Sequence, residues 1–242
     1  MALPRCDTWP HAVKTPIRYN YTGMPNTNFD LRYMATASDL KLDGNTVYSF
    51  TQGGELTLFA QLNEKITAAI PLPGDKLIEF YELNNGSWSI YYDAVANANM
   101  KTGQGVTDGQ LALAGDFTVG DSGSFTVTID PILNVITAGS GEQSLTGTIT
   151  NDTGLIVGGP TSSLASTLLS FGSKTTLAWS LPDSFADVGG GITGAPLYDP
   201  TQLNQYVFQG DATQDLRKVP EPASMALMGL GLAGLAAVRR RK

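Results

Sequence analysis

The chain has 242 residues, and 15 Lys and Arg against 22 Asp and Glu give it a net charge of -7 at neutral pH. From Val219 onward it holds four cations and one acid, so the remainder sets 11 cations against 21 acids, a balance that disfavours nucleic acid and anionic membrane surfaces as partners. Charged residues are only 15% and glycines number 27, the profile of a β-rich, turn-rich exported protein, not a cytosolic α/β enzyme.

Taken in chain order, residues 1–18 give little to read. They contain no apolar core region and no small-residue cleavage site of a secretory signal, so the true start is expected to lie upstream. Residues 19–210 then alternate apolar and polar side chains between turn signals. A first strand runs through Ile17 to Thr22, and Phe29 to Ala37 reads as a second, with Leu31, Tyr33 and Ala35 on one side. Asp43-Gly44 is a hairpin signal, and Gly53-Gly54 another turn. Leu56, Leu58, Ala60 and Leu62 alternate with Glu55, Thr57, Phe59 and Gln61.

Between Lys76 and Asp93, Asn85-Gly86 reads as the tip of a two-residue hairpin. That register sets Leu83 against Trp88, Tyr81 against Ile90 and Glu79 against Tyr92 on one face. Phe80 and Glu82 fall on the other. A polar loop follows from Asp93 to Gly105. Leu111, Leu113, Phe117 and Val119 share odd positions, and Phe125, Val127 and Ile129 do so after the turn at Gly120 to Gly123. Leu145, Gly147 and Ile149 give a further strand, and Asn151 to Gly154 a turn. Thr161 to Phe171 has a helical spacing at Leu164, Leu168 and Phe171 with Ser162 as cap. Thr175 to Leu181 and Tyr206 to Gln209 read as strands, and residues 211–218 as a polar linker. About a dozen short strands with frequent turns predict a mainly β fold, an antiparallel sandwich or a barrel-like domain.

Chemistry-bearing patterns are sparse. With Cys6 the single cysteine and His11 the single histidine, neither an intramolecular disulfide nor a zinc site of the usual Cys/His type can form. Asp93, Asn97, Asn99 and Asp108 cluster in one loop, but no D-x-D-x-D-G run is present, so they read as solvated turn residues, as do Asp121, Asp130 and Asp152. Glu79 lies on the apolar side of its strand and Glu82 on the opposite side, so the two cannot flank one glycosidic bond. No catalytic residue, cofactor or metal ligand is assigned, and the chain is expected not to be an enzyme. Asn20, Asn85 and Asn151 each start an N-x-S/T triplet.

The end of the chain is the most informative stretch. Val219-Pro220-Glu221-Pro222-Ala223-Ser224 is held extended by two prolines that cannot donate to a sheet. Met225 to Val238 has no charged and no polar side chain; it is short against the roughly 20 residues of a membrane helix, and Ala223, Ser224 and arginine stems lengthen it. Arg239, Arg240, Arg241 and Lys242 then act as a membrane stop that stays on the cytoplasmic side. This segment, 219–242, resembles the PEP-CTERM sorting signal of exported bacterial proteins.

The resemblance implies processing by an exosortase, a C-terminal hydrophobic helix in the inner membrane during transit, and delivery to the cell surface or extracellular matrix. Tyr91 to Asn99, Gly105, Asp108 to Leu111, and Phe208 to Leu216 are further similar to flocculation-associated PEP-CTERM proteins, which implies a structural or adhesive role. A module binding extracellular polysaccharide, or a secreted hydrolase, are the other readings of such a β-domain.

Overall fold

The computed structural model describes residues 8–9, 14–19, 24–42, 45–50, 53–100, 103–132, 135–156, 163–175 and 206–218. They form one antiparallel sheet of twelve strands. In chain order these are β1 (Thr8–Trp9), β2 (Lys14–Tyr19), β3 (Asn28–Thr36), β4 (Asp39–Leu42), β5 (Asn45–Ser49), β6 (Glu55–Leu72), β7 (Lys76–Asp93), β8 (Gln110–Phe117), β9 (Ser122–Asp130), β10 (Val135–Asp152), β11 (Ser163–Thr175) and β12 (Tyr206–Lys218).

The ladder returns on itself. From β2 it passes through β3, β6, β7, the β8 and β9 pair, β10 and β11 to β12, and β12 pairs with β2 again. Successive positions are successive in sequence, so this is an up-and-down barrel, the closed form of the expected antiparallel domain. Closure leaves the main sheet without free edges. The short strands β1, β4 and β5 prolong three positions at one end, where Thr8 pairs with Asp215 and Lys41.

Alternation decides what fills the interior. On β3, Phe29, Leu31, Tyr33 and Ala35 are buried, and on β6 Leu56, Leu58, Ala60, Leu62 and Ile66. These join Tyr81, Leu83, Trp88, Ile90, Leu113, Phe117, Phe125, Val127 and Leu145 in one core. Phe29 meets Tyr81 edge-on, with ring centroids 5.9 Å apart. Two glycines make room for the largest rings. A Cβ at Gly115 would stand 2.6 Å from Trp88, and one at Gly123 would stand 2.7 Å from the Tyr81 hydroxyl. The Tyr81 ring therefore lies over Gly123 and donates to the Glu142 carbonyl at 3.5 Å. One polar bridge crosses the interior: Gln143 Nε2 on β10 donates to Glu64 Oε1 on β6 at 2.5 Å, both residues being fully buried.

Several expectations need correction. Asn85-Gly86 is no hairpin tip. It lies midway along β7, and the real turn is Pro73-Gly74-Asp75, with φ of 79° at Gly74 and 56° at Asp75. Pairing slips by one residue at Asn84, between Glu64–Leu83 and Asn63–Asn85. This bulge reverses the alternation, so odd residues up to Leu83 and even residues from Trp88 both face inward. Leu83 and Trp88 do share the core side, but as members of one strand. Tyr81 pairs with Ile66, and Ile90 with Leu58.

Ser163–Thr175 is a strand, not a helix; it is flanked by β10 and β12, whose hydrogen bonds outweigh a weak helical spacing. Residues 211–218 are no linker but the second half of β12, and residues 8–9 and 14–19 of the supposedly unreadable start are strands. Val119 sits in the turn after β8, 68% exposed.

Gly115→Val should cost about 1–3 kcal/mol or more, because the new side chain meets Trp88 and the Thr148 carbonyl. Val119→Ser should stay within about 0.5 kcal/mol of the parent. Urea unfolding of the two variants measures both.

Candidate functional site

Strand direction groups the loops. Strands β3, β7, β10 and β12 run one way, and Asp93, Asp152 and Lys218 therefore finish at the same end of the barrel. The loop at 94–109 folds there against the outer face of β6. Asn97 and Ala98 donate their backbone N–H groups to Glu55 Oε1, each at 2.8 Å. Thr57 Oγ1 donates to the Val106 carbonyl at 2.5 Å. Thr57, Phe59 and Val106 are thereby buried outside the barrel core.

The acids of this loop are occupied by the loop itself. Asp93 accepts from the Val95 N–H at 2.9 Å, and Asp108 accepts from the Asn97 amide at 3.2 Å. Asp130 and Asp152 likewise accept from Ile132 and Gly154 within their own turns, and Asp121 accepts from the backbone and hydroxyl of Thr146. Among the described residues no group of three His, Cys, Asp or Glu is arranged to hold a metal ion. Burial pushes the Glu55 carboxyl above its ordinary value of 4.5. The two backbone donors pull it down, and the charges of Asp93 and Asp108 push it up again.

Glu79 is fully buried on the core side of β7, whereas Glu82 lies on the other side, half-buried. They do not come together.

A second feature was not legible in the sequence. The bulge at Asn84 turns Asn85, Gly86 and Ser87 into the floor of an open depression of about 310 Å³ on the flank of the barrel. Asp30, Gln61, Asn63 and Asp116 complete it from β3, β6 and β8. The strand register explains the grouping: Asp30 pairs with Asn63, Asn63 with Asn85, Gln61 with Ser87, and Ser87 with Asp116. Asn63 Nδ2 donates to Asp30 Oδ1 at 2.8 Å, and Asn84 Nδ2 donates to Asn63 Oδ1 at 3.1 Å. Gly86 has no room for a side chain, since a Cβ would lie 3.0 Å from the Gln61 carbonyl and 3.1 Å from Phe117. The one sequence signal here was Asn85-Gly86-Ser87, read as a turn and as a glycosylation triplet; Asn151 of another such triplet is exposed on β10, and Asn20 lies outside the described residues.

The sorting residues Val219 to Ser224 and Arg239 to Lys242, with the expected hydrophobic helix between them, lie outside the described residues. Their attachment point does not, because β12 ends at Lys218. A family model described as the PEP-CTERM protein-sorting motif matches residues 218–242. The chain carries a PEP-CTERM sorting motif. No curated protein and no solved structure matches the chain. The PEP-CTERM motif implies export through a membrane-anchored sorting step and processing by an exosortase. Among the described residues no helix is long and apolar enough to cross a membrane.

The raised Glu55 value has a consequence for stability. A carboxyl whose folded pKa exceeds its unfolded one contributes most below the unfolded pKa, about 4.5, and that contribution is lost as pH rises through the folded value. Glu55→Gln keeps an acceptor for Asn97 and Ala98 without the charge. Thermal melts from pH 4 to pH 8 should show the variant more stable than the parent at neutral pH, with the difference closing on acidification.

Proposed function

We propose that this PEP-CTERM protein is a structural or adhesive component of the cell surface or extracellular matrix, acting in floc or biofilm formation after exosortase cuts it between Val219 and Ser224. The observation that carries the reading is the direct junction of the last barrel strand to the sorting motif at Lys218. A closed barrel with no free edge on its main sheet suits a protein that persists outside the cell, where exposed edges invite aggregation. The reading is of a non-enzyme, and among the described residues the most buried acids, Glu64 and Glu79, lie within the barrel wall and core. Extracellular polysaccharide is the partner favoured by the acidic body and by the polar depression on its flank. That depression supports a second reading, a carbohydrate-binding module of the same matrix.

The motif has separable parts and should fail in separable ways. Replacing Pro220, Glu221 and Pro222 with alanine leaves the apolar run and the cations intact. The chain should still insert with Lys242 inside but escape cutting, and full-length protein should accumulate in the inner membrane. Replacing Arg239, Arg240, Arg241 and Lys242 with serine removes the stop, so insertion itself should fail. Fractionation and intact-mass measurement of the released protein distinguish the two. Released parent protein still ending at Lys242 would refute exosortase processing. A deletion strain that flocculates as well as its parent would refute the adhesive role.

A further inference from the structure

We propose that the depression around the β7 bulge is a binding site for a neutral, hydroxyl-rich saccharide chain. The assignment deepens the surface-matrix reading and rests on it for the source of the ligand, since a matrix protein meets polysaccharide at high local concentration.

The chemistry of the lining selects the ligand class. Beside Leu62 and Gly86, six polar residues line the space: Asp30, Gln61, Asn63, Asn85, Ser87 and Asp116. The two carboxylates only accept hydrogen bonds, the three amides both accept and donate, and the serine does either. A sugar hydroxyl is itself one donor and an acceptor, and neighbouring hydroxyls on a ring present both to planar side chains. The lining holds two carboxylates and no cation, which disfavours phosphate, sulfate and uronic-acid ligands, although Arg32 pairs with Gln61 beside it. Its two carboxylates come from strands β3 and β8, and no third acid joins them to complete a cage for a bare cation. The volume of about 310 Å³ stands at the lower limit of ligand pockets, which run from about 300 to 1,000 Å³. That is room for a short stretch of a chain passing through, in keeping with the open shape.

The site is also organised before a ligand arrives. Asn63 is fixed between Asp30 and Asn84 by hydrogen bonds of 2.8 and 3.1 Å, which sets the direction of its amide. The bulge turns Asn85 and Ser87 to the outer face, with Gly86 between them close to Leu62 and Phe117. Side chains held on strands lose little freedom on binding. The depression lies midway along β7, away from the end at which β12 stops at Lys218. Among the described residues no aromatic ring lines it, so each contact is weak, and many copies on one polysaccharide supply the avidity.

The test uses the full chain, labelled with ¹⁵N, in a detergent without a sugar headgroup. The probes are neutral hexasaccharides of β-1,4-glucose, α-1,4-glucose and β-1,4-N-acetylglucosamine, with hexagalacturonate and calcium chloride as separate arms, each to tens of millimolar. At least one neutral hexasaccharide should shift the side-chain amides of Gln61, Asn63 and Asn85 and the backbone amide of Gly86. Asn85→Ala and Ser87→Ala, on exposed positions of β7, should each weaken that binding by about fivefold to tenfold, and Val119→Ser should leave it unchanged. Hexagalacturonate should bind at least about tenfold more weakly than the neutral chain. The proposal is overturned if no neutral hexasaccharide moves these signals, if hexagalacturonate binds equally well, or if calcium alone reproduces the shifts. Sorting is scored separately by the mass of released protein. A null titration with normal release removes the saccharide site alone, whereas failed release removes the surface reading.

Discussion

The fold depends on one pairing, that of β12 with β2, which closes the ring. Every other position in the barrel is joined to its sequence neighbour, so all of it can form as the chain emerges. The closing pairing joins Tyr206 to Arg18 and Gly210 to Lys14, nearly the full length of the protein apart. Such contacts form late, because a long loop must be closed before they return any stabilisation. Until β12 arrives, β2 and β11 are open edges of a large sheet. The sorting motif begins where this strand stops, so the segment that completes the barrel and the segment that addresses it to the membrane are contiguous in the chain.

Length creates a second constraint. Strands β6, β7 and β10 each have 18 residues, about 60 Å if fully extended. Strands this long must twist and coil to stay on a closed surface, and bulges absorb the curvature. The position between β7 and β10 is filled by two shorter strands, β8 and β9, interrupted at 118–121. The gap is bridged at Leu83, whose N–H donates to the Asp121 carbonyl at 2.7 Å and whose carbonyl accepts from Gly120 at 2.8 Å. The Asn84 bulge follows immediately. Interruption and bulge therefore compensate each other, and the polar depression occupies the irregularity they leave on the outer face.

The interior is mainly apolar; Glu79 is buried in it, and a few polar contacts reach past neighbouring strands. Gln143 and Glu64 meet across β7 and β9, and Tyr81 reaches the carbonyl of Glu142 over Gly123. Buried polar contacts of this kind tie non-adjacent strands together and penalise any slip in register, since a one-residue shift would carry each partner to the outer face. Outside, residues 97, 98 and 106 of the segment after β7 are held on β6 through Glu55 and Thr57, at the end of the barrel where β12 stops.

Much of this was legible in residue order. Alternation at Leu31, Tyr33 and Ala35, at Leu56 to Leu62 and at Phe125 to Ile129 is a local property, and it correctly assigned strands and inward faces. The antiparallel class and the pairing of β4 with β5 followed from turn chemistry, though Asp43 and Gly44 themselves lie outside the described residues, and the PEP-CTERM motif from composition and order within one short segment. What failed was whatever depended on a distant neighbour. Asn85-Gly86 has the backbone freedom of a hairpin tip, but the partner at Asn63 and the close approach of Gln61 and Phe117 make it part of a bulged strand. Leu164, Leu168 and Phe171 have a helical spacing, but β10 and β12 hold their backbone in the sheet. Residues 211–218 are too polar to announce a strand, and become one because the ring needs its closing member. The depression is the extreme case: Asp30, Asn63, Asn85, Ser87 and Asp116 are unremarkable polar residues on four strands, and only the register of those strands sets them around one space. Sequence alone determined the local periods, the turns and the address at the C-terminus; ring closure, register and the site they create were decided by tertiary structure, because hydrogen bonds between strands depend on which segments meet and not on what each segment prefers by itself.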